Sequence, residues 1–242
     1  MAERMKTRSG AMQEPFDAGP PLLDDLHLHE GMALIALREG APARSCFALG
    51  GAVLAALCLC GRLRIVPGWK GLIEVVDRMP TGEAVLDYCL GEVVRSRRRR
   101  RAMHWVVWFG TNHEYDMIAA GLCRRGILRP DDVRSWLFFT RRVYRIVDPE
   151  PRRRLLERLD ECVFGDAAPP DTETGVLVAL ADAGELLKVH FPEKRLRDRR
   201  RHLGEIAAGH VVSDTVSRAV EKARQAAGSG TAALTSSGYS GG

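Results

Sequence analysis

The sequence lacks two motifs that build common catalytic sites. It contains no His-Glu-x-x-His, which excludes the zinc-protease helix, and no Gly-x-x-x-x-Gly-Lys-Ser/Thr, which excludes the P-loop of nucleotide hydrolases. Gly50-Gly51 lies inside an apolar stretch, without the strand and the turn of a dinucleotide-binding fold. We therefore predict that this chain is not an enzyme and that it holds no cofactor.

Lysine is scarce, and cysteine and histidine are scattered. Five lysines stand against 31 arginines, a ratio typical of a GC-rich coding bias in which arginine fills ordinary surface positions. Cys58 and Cys60 are the one close pair of cysteines, and they match no zinc or redox pattern. On a predicted helix, His27 and His29 point in different directions and cannot hold one ion. We predict no metal site and a reducing, cytoplasmic location.

An apolar stretch long enough to cross a membrane is also absent. Cys46–Gly61 is apolar throughout, but its length of about 16 residues falls short of the roughly 20 that a membrane-spanning helix needs. Arg62 and Arg64 follow directly. The stretch therefore predicts a buried central helix.

Apolar residues recur at helical spacing over most of the chain. Leu22–Arg38 predicts a helix with Asp24 and Asp25 in its first turn, where acidic side chains complement the helix dipole. A later helix is predicted to begin after Thr81 or Gly82, either of which is a suitable N-cap. From Pro151 onward, helices dominate the predicted structure.

Two short stretches alternate polar and apolar residues instead. Arg62–Asp77, with a turn at Pro67-Gly68, predicts one hairpin. The β-branched and aromatic residues on both sides of Thr140–Arg142 predict a second hairpin with its turn at those three residues. The sequence therefore predicts a mostly α fold, a single helical domain with two small β-hairpins. Residues 1–21 are predicted to form a disordered N-terminal tail, residues 22–227 the domain, and residues 228–242 a disordered C-terminal tail.

A cationic run precedes an aromatic cluster. Arg95 and Arg97–Arg101 place six arginines in seven positions, and Trp105, Trp108 and Phe109 follow. Near an anionic leaflet each arginine contributes about 1 kcal/mol before screening, which favours weak, reversible membrane binding. Exposed aromatic residues would add interfacial anchoring. In the alternative interpretation, the aromatic residues belong to the core and the arginines to a solvated loop.

The second predicted hairpin carries more apolar residues than a free two-stranded ribbon can expose. Its candidate contact residues are Phe138, Phe139, Arg141, Arg142, Val143 and Tyr144. The domain core, a second subunit or acyl chains must cover the apolar members. The mixed apolar and basic surface predicts a membrane contact or a homo-oligomer contact.

Six stretches, taken in order, resemble the Golgi phosphoprotein family over roughly residues 22–225. They read LLDDLHLHEGMALIAL, ALGGAVLAALCLCGRLRI, MPTGEAVLDYCL, GLCRRGILRPDD, FFTRRVYRIVDPEPRRRLLERL and TGVLVALADAGELL. Eukaryotic members of that family read phosphatidylinositol 4-phosphate and act as adaptors that retain glycosyltransferases. The resemblance implies a mostly α-helical domain with small hairpins and a concave basic patch for a phosphoinositide headgroup. It also implies an apolar hairpin, here 138–146, that assists membrane contact or self-association.

The resemblance further implies where a headgroup would bind. The family uses a tryptophan, an arginine and two more basic residues, and gapless counting places these positions at Ala41, Gly50, Asn112 and Tyr115. All four positions have lost the family chemistry. The basic residues nearby in sequence are Arg44, Arg124 and Arg125. The composition suggests a bacterial, GC-rich member of the family, whose ligand is another anionic lipid or none.

These observations predict an anionic-lipid-binding (phosphoinositide-like) adaptor that lies peripherally on the cytoplasmic membrane surface, with protein clients and self-association as further partners. The candidate headgroup residues are Arg44, Arg95, Arg97, Arg98, Arg99, Arg100, Arg101, Arg124 and Arg125. One alternative is a nucleic-acid-binding helical domain, in which the same run neutralises phosphates. No readout module is recognisable, so nucleic acid is the weaker hypothesis. Another alternative is a protein–protein module that binds no anion.

Overall fold

The computed structural model describes residues 26–38, 47–66, 71–111, 114–134, 140–165 and 171–236, with the backbone alone for 132–134, 140–142 and 229–236. This part of the chain contains eleven helices and two antiparallel two-stranded sheets, which confirms the mostly α fold with two small hairpins. The predicted N-terminal tail lies outside the described residues. At the other end, the last helix continues to Ser236, past the predicted start of the C-terminal tail at Gly228.

The helices are α1 (Leu28–Ala36), α2 (Phe47–Leu59), α3 (Ala84–Arg95), α4 (Ala102–Thr111), α5 (Glu114–Arg124), α6 (Glu150–Phe164), α7 (Thr172–Ala183), α8 (Leu187–His190), α9 (Glu193–Asp198), α10 (Arg200–Ala208) and α11 (Val211–Ser236). The strands β1 (Leu63–Ile65) and β2 (Ile73–Val75) form one sheet, and β3 (Leu128–Arg134) and β4 (Thr140–Ile146) form the other.

Helix α2 lies at the centre of the core, as its sequence predicts. Its residues are apolar on every side, and it packs against α1, α4, α7 and α11. Val53, Leu54 and Leu57 are fully buried. A helix that is hydrophobic all round is stable in water only when other elements cover every side of it, so the other helices pack around α2.

Two glycines let α2 approach its neighbours closely. A Cβ atom on Gly50 would lie 2.1 Å from the carbonyl oxygen of Val106 and 2.7 Å from the amide nitrogen of Gly110, so the backbones of α2 and α4 are in direct contact. A Cβ atom on Gly51 would lie 2.7 Å from the Val220 side chain of α11. Side chains at these two positions would push both neighbouring helices away from α2.

Two helices begin later than the sequence predicted. Helix α1 begins at Leu28, because His27 is extended and its backbone N–H donates to the Glu30 carboxylate at 3.0 Å, as in a capping box. The predicted first-turn residues Asp24 and Asp25 lie outside the described residues. Helix α3 is capped by neither Thr81 nor Gly82. Its N-cap is Glu83, whose carboxylate accepts the Leu86 N–H at 2.8 Å.

The strand pairing of the first hairpin is confirmed, and its predicted turn at Pro67-Gly68 lies outside the described residues. The predicted turn of the second hairpin is wrong. Thr140–Arg142 belong to β4, where they pair with Asp132–Arg134 of β3. Strand β3 also contains Pro130, which has turn chemistry in the sequence but pairs with Tyr144 here. In a two-stranded sheet both strands are edges, so a proline without an N–H is tolerated. The connection, residues 135–139, lies outside the described residues.

Substituting Gly50 by alanine should destabilise the protein strongly, because the new methyl group overlaps the α4 backbone. We expect the free energy of unfolding to fall by about 3 kcal/mol in a urea titration. Gly204→Ala is the matched control, since a Cβ atom there meets nothing within 4 Å. Because Gly204 is an exposed position inside a helix, replacing it by alanine should stabilise the fold by up to about 1 kcal/mol. Equal effects of the two substitutions would contradict the close crossing.

The burial of His190 of α8 should make the stability of the fold depend on pH. His190 Nε2 lies 2.8 Å from the Ile35 carbonyl oxygen, and burial is the main cause that lowers the pKa of His190 below 6.5. The unfolded chain therefore binds this proton more readily, and the stability is present above pH 6.5 and is lost as the pH falls below it. We expect the urea midpoint to fall between about pH 7.5 and about pH 5.5, and to fall less in His190→Gln. An unchanged slope would remove His190 as a cause.

Candidate anion-binding surface

Arg97–Arg101, here called the arginine run, extends beside the first hairpin instead of prolonging α3. The Ser96 N–H bonds to the Glu92 and Val93 carbonyl oxygens and ends that helix. The Ile73 N–H then donates to the Arg100 carbonyl oxygen at 2.9 Å, and the Ala102 N–H donates to the Gly71 carbonyl oxygen at 2.7 Å. The C-terminal end of the run is thus bonded to the first hairpin by a single bridge between Arg101 and Leu72, and all side chains of the run are exposed.

Most charges of the run have no neighbouring carboxylate, whereas most other described arginines have one. Arginines that form ion pairs elsewhere in the described chain are Arg62, Arg64, Arg95, Arg125, Arg145, Arg153, Arg154, Arg158, Arg195, Arg200, Arg201, Arg218 and Arg224. Within the run, Arg99 lies 2.9 Å from Glu74. Arg97, Arg98, Arg100 and Arg101 form no ion pair with a described residue. The run therefore concentrates uncompensated positive charge.

An open pocket of about 650 Å³ separates the run from the aromatic face of α4. Its lining residues are Arg99, Arg100, Arg101, Met103, His104, Val107, Trp108 and Thr111. Met103 is 36% exposed, and the half-buried Trp108 stacks on exposed Tyr88 with ring centroids 6.4 Å apart. Burial and the Arg100 charge both lower the pKa of His104, which favours its neutral form. We call this cavity the aromatic pocket; it combines cations with apolar surface.

The predicted aromatic cluster divides between this surface and the core. Trp105 is 4% exposed and Phe109 is 1% exposed, so neither can anchor the protein in an interface. The alternative interpretation of the sequence, in which these residues belong to the core, is therefore correct for both. Trp108 is half-buried and lines the aromatic pocket, which leaves it as the one member of the cluster near the arginines.

The other predicted headgroup residues do not join the arginine run. Arg95 ends α3 and forms an ion pair with Glu92 of the same helix. Arg124 and Arg125 lie where α5 turns into β3, and Arg125 contacts the Glu30 carboxylate at 2.8 Å. Their turn leads to the second hairpin, whereas the run lies along the first. Arg44 lies outside the described residues.

The predicted contact surface on the second hairpin is wrong for two of its residues. Val143 is 1% exposed and Tyr144 is 4% exposed. Neighbouring side chains of a strand point to opposite faces, so both faces of β4 are covered there. The Tyr144 hydroxyl donates to Asp116 of α5 at 3.1 Å. Arg141 and Arg142 lie in β4, with the backbone alone described. Phe138 and Phe139 lie outside the described residues.

The positions that correspond to the family headgroup residues form no site in the described structure. Gly50 lies at the crossing of α2 and α4, where the Val106 carbonyl oxygen leaves no room even for a Cβ atom. Tyr115 is half-buried and packs against Tyr144 with ring centroids 5.9 Å apart. Ala41 and Asn112 lie outside the described residues.

A second basic cavity was not predicted from the sequence. A groove of about 360 Å³ lies between the N-terminal end of α4 and one face of α11, and we call it the α11 groove. It is lined by Gly71, Arg101, Ala102, Met103, Asp214, Thr215, Arg218, Ala219 and Lys222. The spacing of Thr215, Arg218 and Lys222 does predict one helix face. Their proximity to Arg101 depends on tertiary packing and leaves no signal in the sequence.

The His27–His29 pair differs from its prediction. Because His27 precedes α1, the two rings stack in parallel with centroids 5.7 Å apart, and they do not point in different directions. Buried His29 lies 3.5 Å from the Glu83 carboxylate. Across the described ranges, no group of three or more histidine, cysteine, aspartate or glutamate side chains could hold a metal ion. No helix within those ranges is long and apolar enough to span a membrane.

Comparison with known proteins tests the resemblance stated above. A search of curated proteins finds no significant match. A family model described as Golgi phosphoprotein 3 (GPP34) matches residues 28–227, which include the arginine run, both hairpins and the α11 groove. The match covers most of the chain and confirms the resemblance, so the chain belongs to the Golgi phosphoprotein 3 (GPP34) family.

Proposed function

We propose that this protein is a non-catalytic adaptor domain that binds peripherally to anionic membrane lipid through the arginine run and the aromatic pocket. The observation that carries the proposal is the run itself. Arg97, Arg98, Arg100 and Arg101 are exposed and form no ion pair with a described residue, and the backbone at Arg100 and Arg101 is bonded to the first hairpin. Exposed cations beside apolar surface suit a lipid interface.

The crossing of α2 and α4 supports a binding surface at a new place. The resemblance places a family arginine at the position of Gly50. In this chain the α4 backbone leaves no room for a side chain at that position. The same crossing holds α4 in place, and the run precedes α4 directly. The proposed binding surface therefore uses the exposed arginine run in place of that position.

The expected affinity is modest. Each arginine near an anionic leaflet contributes about 1 kcal/mol before screening, so the four unpaired arginines supply a few kcal/mol. Exposed Met103 and Tyr88, with half-buried Trp108, add limited apolar contact. This is weak, reversible association, which suits an adaptor that also carries protein clients.

Membrane lipid is favoured over nucleic acid by the fate of the aromatic residues. Trp105 is buried and cannot stack on a base, and Trp108 already stacks on Tyr88. A role of the second hairpin in membrane contact or self-association stays a prediction. It rests on Phe138 and Phe139, because Val143 and Tyr144 are covered by the chain itself.

Neutralising the run should abolish most vesicle binding. We expect the triple variant Arg97→Gln, Arg98→Gln, Arg100→Gln to bind vesicles of phosphatidylcholine and phosphatidylglycerol at least about tenfold more weakly, after allowance for screening. Co-sedimentation measures the binding, and the melting temperature should stay nearly unchanged because the three side chains are exposed.

The control removes the same charge elsewhere. Arg153, Arg154 and Arg201 are exposed and form ion pairs on α6 and α10, so their replacement by glutamine changes the net charge equally. That variant should keep most of the vesicle binding. Equal losses in both variants, or tighter binding of the parent protein to a DNA duplex than to vesicles, would contradict the proposed function.

A further inference from the structure

We propose that the α11 groove binds a phosphomonoester, a phosphate group joined to its carrier by one ester bond. The inference rests on the proposed function where it takes a membrane lipid as the carrier. The groove adjoins the aromatic pocket, and neither Gly50 nor Tyr115 lines it. Its cations come from two elements, Arg101 before α4 and Arg218 with Lys222 on α11.

Helix geometry brings the groove residues of α11 to one face. Thr215, Arg218 and Lys222 are spaced by three and four residues, so their side chains lie one above another along the helix. Gly71 packs against that face, since a Cβ atom on it would lie 3.1 Å from Thr215 Cγ2. The Ala102 N–H is bonded to the Gly71 carbonyl oxygen, and Arg101, the residue before Ala102, also lines the groove.

The charges of the groove match a dianion. Arg101, Arg218 and Lys222 carry three positive charges, and Asp214 carries one negative charge, which leaves a net charge of +2 among the lining residues. Arg218 contacts Asp214 at 2.8 Å, whereas Arg101 and Lys222 form no ion pair with a described residue. A phosphomonoester carries about −1.5 to −2 at pH 7, whereas a phosphodiester lipid such as phosphatidylglycerol carries about −1.

Size and position also suit a phosphate-bearing headgroup. The volume of about 360 Å³ falls within the range of small-molecule sites. Arg101 and Met103 line both the groove and the aromatic pocket, so the two cavities adjoin. A lipid whose phosphate enters the groove would therefore place its remaining groups beside Met103 and the arginine run. The run attracts any anionic surface, and the groove selects the phosphate.

Lys222→Gln tests the groove without touching the run. Vesicles of phosphatidylcholine are prepared with either phosphatidic acid, a phosphomonoester, or phosphatidylglycerol, at mole fractions that give equal surface potential. We expect the parent protein to prefer phosphatidic acid by about fivefold, as one extra charge contact at the surface would give. Lys222→Gln should lose this preference and keep the binding to phosphatidylglycerol.

Two further variants sharpen the test. Lys194→Gln makes the same substitution at an exposed lysine of α9 that forms no ion pair with a described residue, and it should keep the full preference. Asp214→Asn removes the carboxylate that competes for Arg218 and should increase the preference. Equal binding of the parent to both lipids, or equal preferences of Lys222→Gln and Lys194→Gln, would overturn the lipid form of the proposal.

A second arm identifies the carrier and separates this inference from the proposed function. Glycerol 3-phosphate is titrated calorimetrically into the parent and Lys222→Gln proteins, with glycerol as the blank. Binding that Lys222→Gln weakens supports the groove with a soluble phosphate ester as the source, even if no vesicle binds and the proposed function fails. A Lys222-dependent preference for phosphatidic acid vesicles, without binding of glycerol 3-phosphate, assigns a membrane lipid as the carrier. The absence of a Lys222-dependent response in both arms overturns the inference.

Discussion

The backbone contact between α2 and α4 is the constraint on which the rest of the structure depends. Gly50 permits it, because a Cβ atom there would collide with the Val106 carbonyl oxygen. Helix α2 is apolar on every side and needs neighbours at close range, and α4 and α11 both supply them. The position of α4 in turn decides where the preceding arginines emerge. Gly50 thus permits the crossing that positions α4, and with it the arginines that precede α4.

Neighbouring carboxylates neutralise most of the other described arginines but few of those in the arginine run. A sequence with 31 arginines cannot be interpreted by counting clusters, because coding bias alone spreads arginine over a surface. In the structure, Arg153 lies between Glu150 and Glu157 on α6, as expected of a solvated helix face. The arginine run has Glu74 as a described partner of Arg99, and its other members lack one. Local neutralisation is therefore a better guide to an anion site than the density of arginine in the sequence.

Features that depend on local patterns could be predicted, and features that depend on tertiary packing could not. The apolar stretch of α2 and the polar–apolar alternation of β1 and β2 are local patterns in the sequence, and both predictions made from them are confirmed. The turn of the second hairpin was predicted too late in the chain, because Pro130 and Asp131 have turn chemistry and did not indicate a strand. An edge strand nevertheless accepts both residues. Trp105 and Trp108 are equivalent in the sequence, and the packing of α4 against α2 buries only the first. The α11 groove joins Arg101 to residues more than a hundred positions later, so no pattern could indicate it.

The two proposed basic sites would differ in what they respond to. Exposed arginines act at a distance, and salt screens them over about 8 Å at physiological ionic strength. Cations that line a groove act on contact and depend on the shape and charge of one group, so salt affects their selectivity less than it affects capture. Arg101 lies on the boundary of both sites, which makes it a poor probe of either. Because Lys222 lines the α11 groove and not the aromatic pocket, and Arg98 lines neither cavity, capture and selection can be separated by substitutions at those two residues.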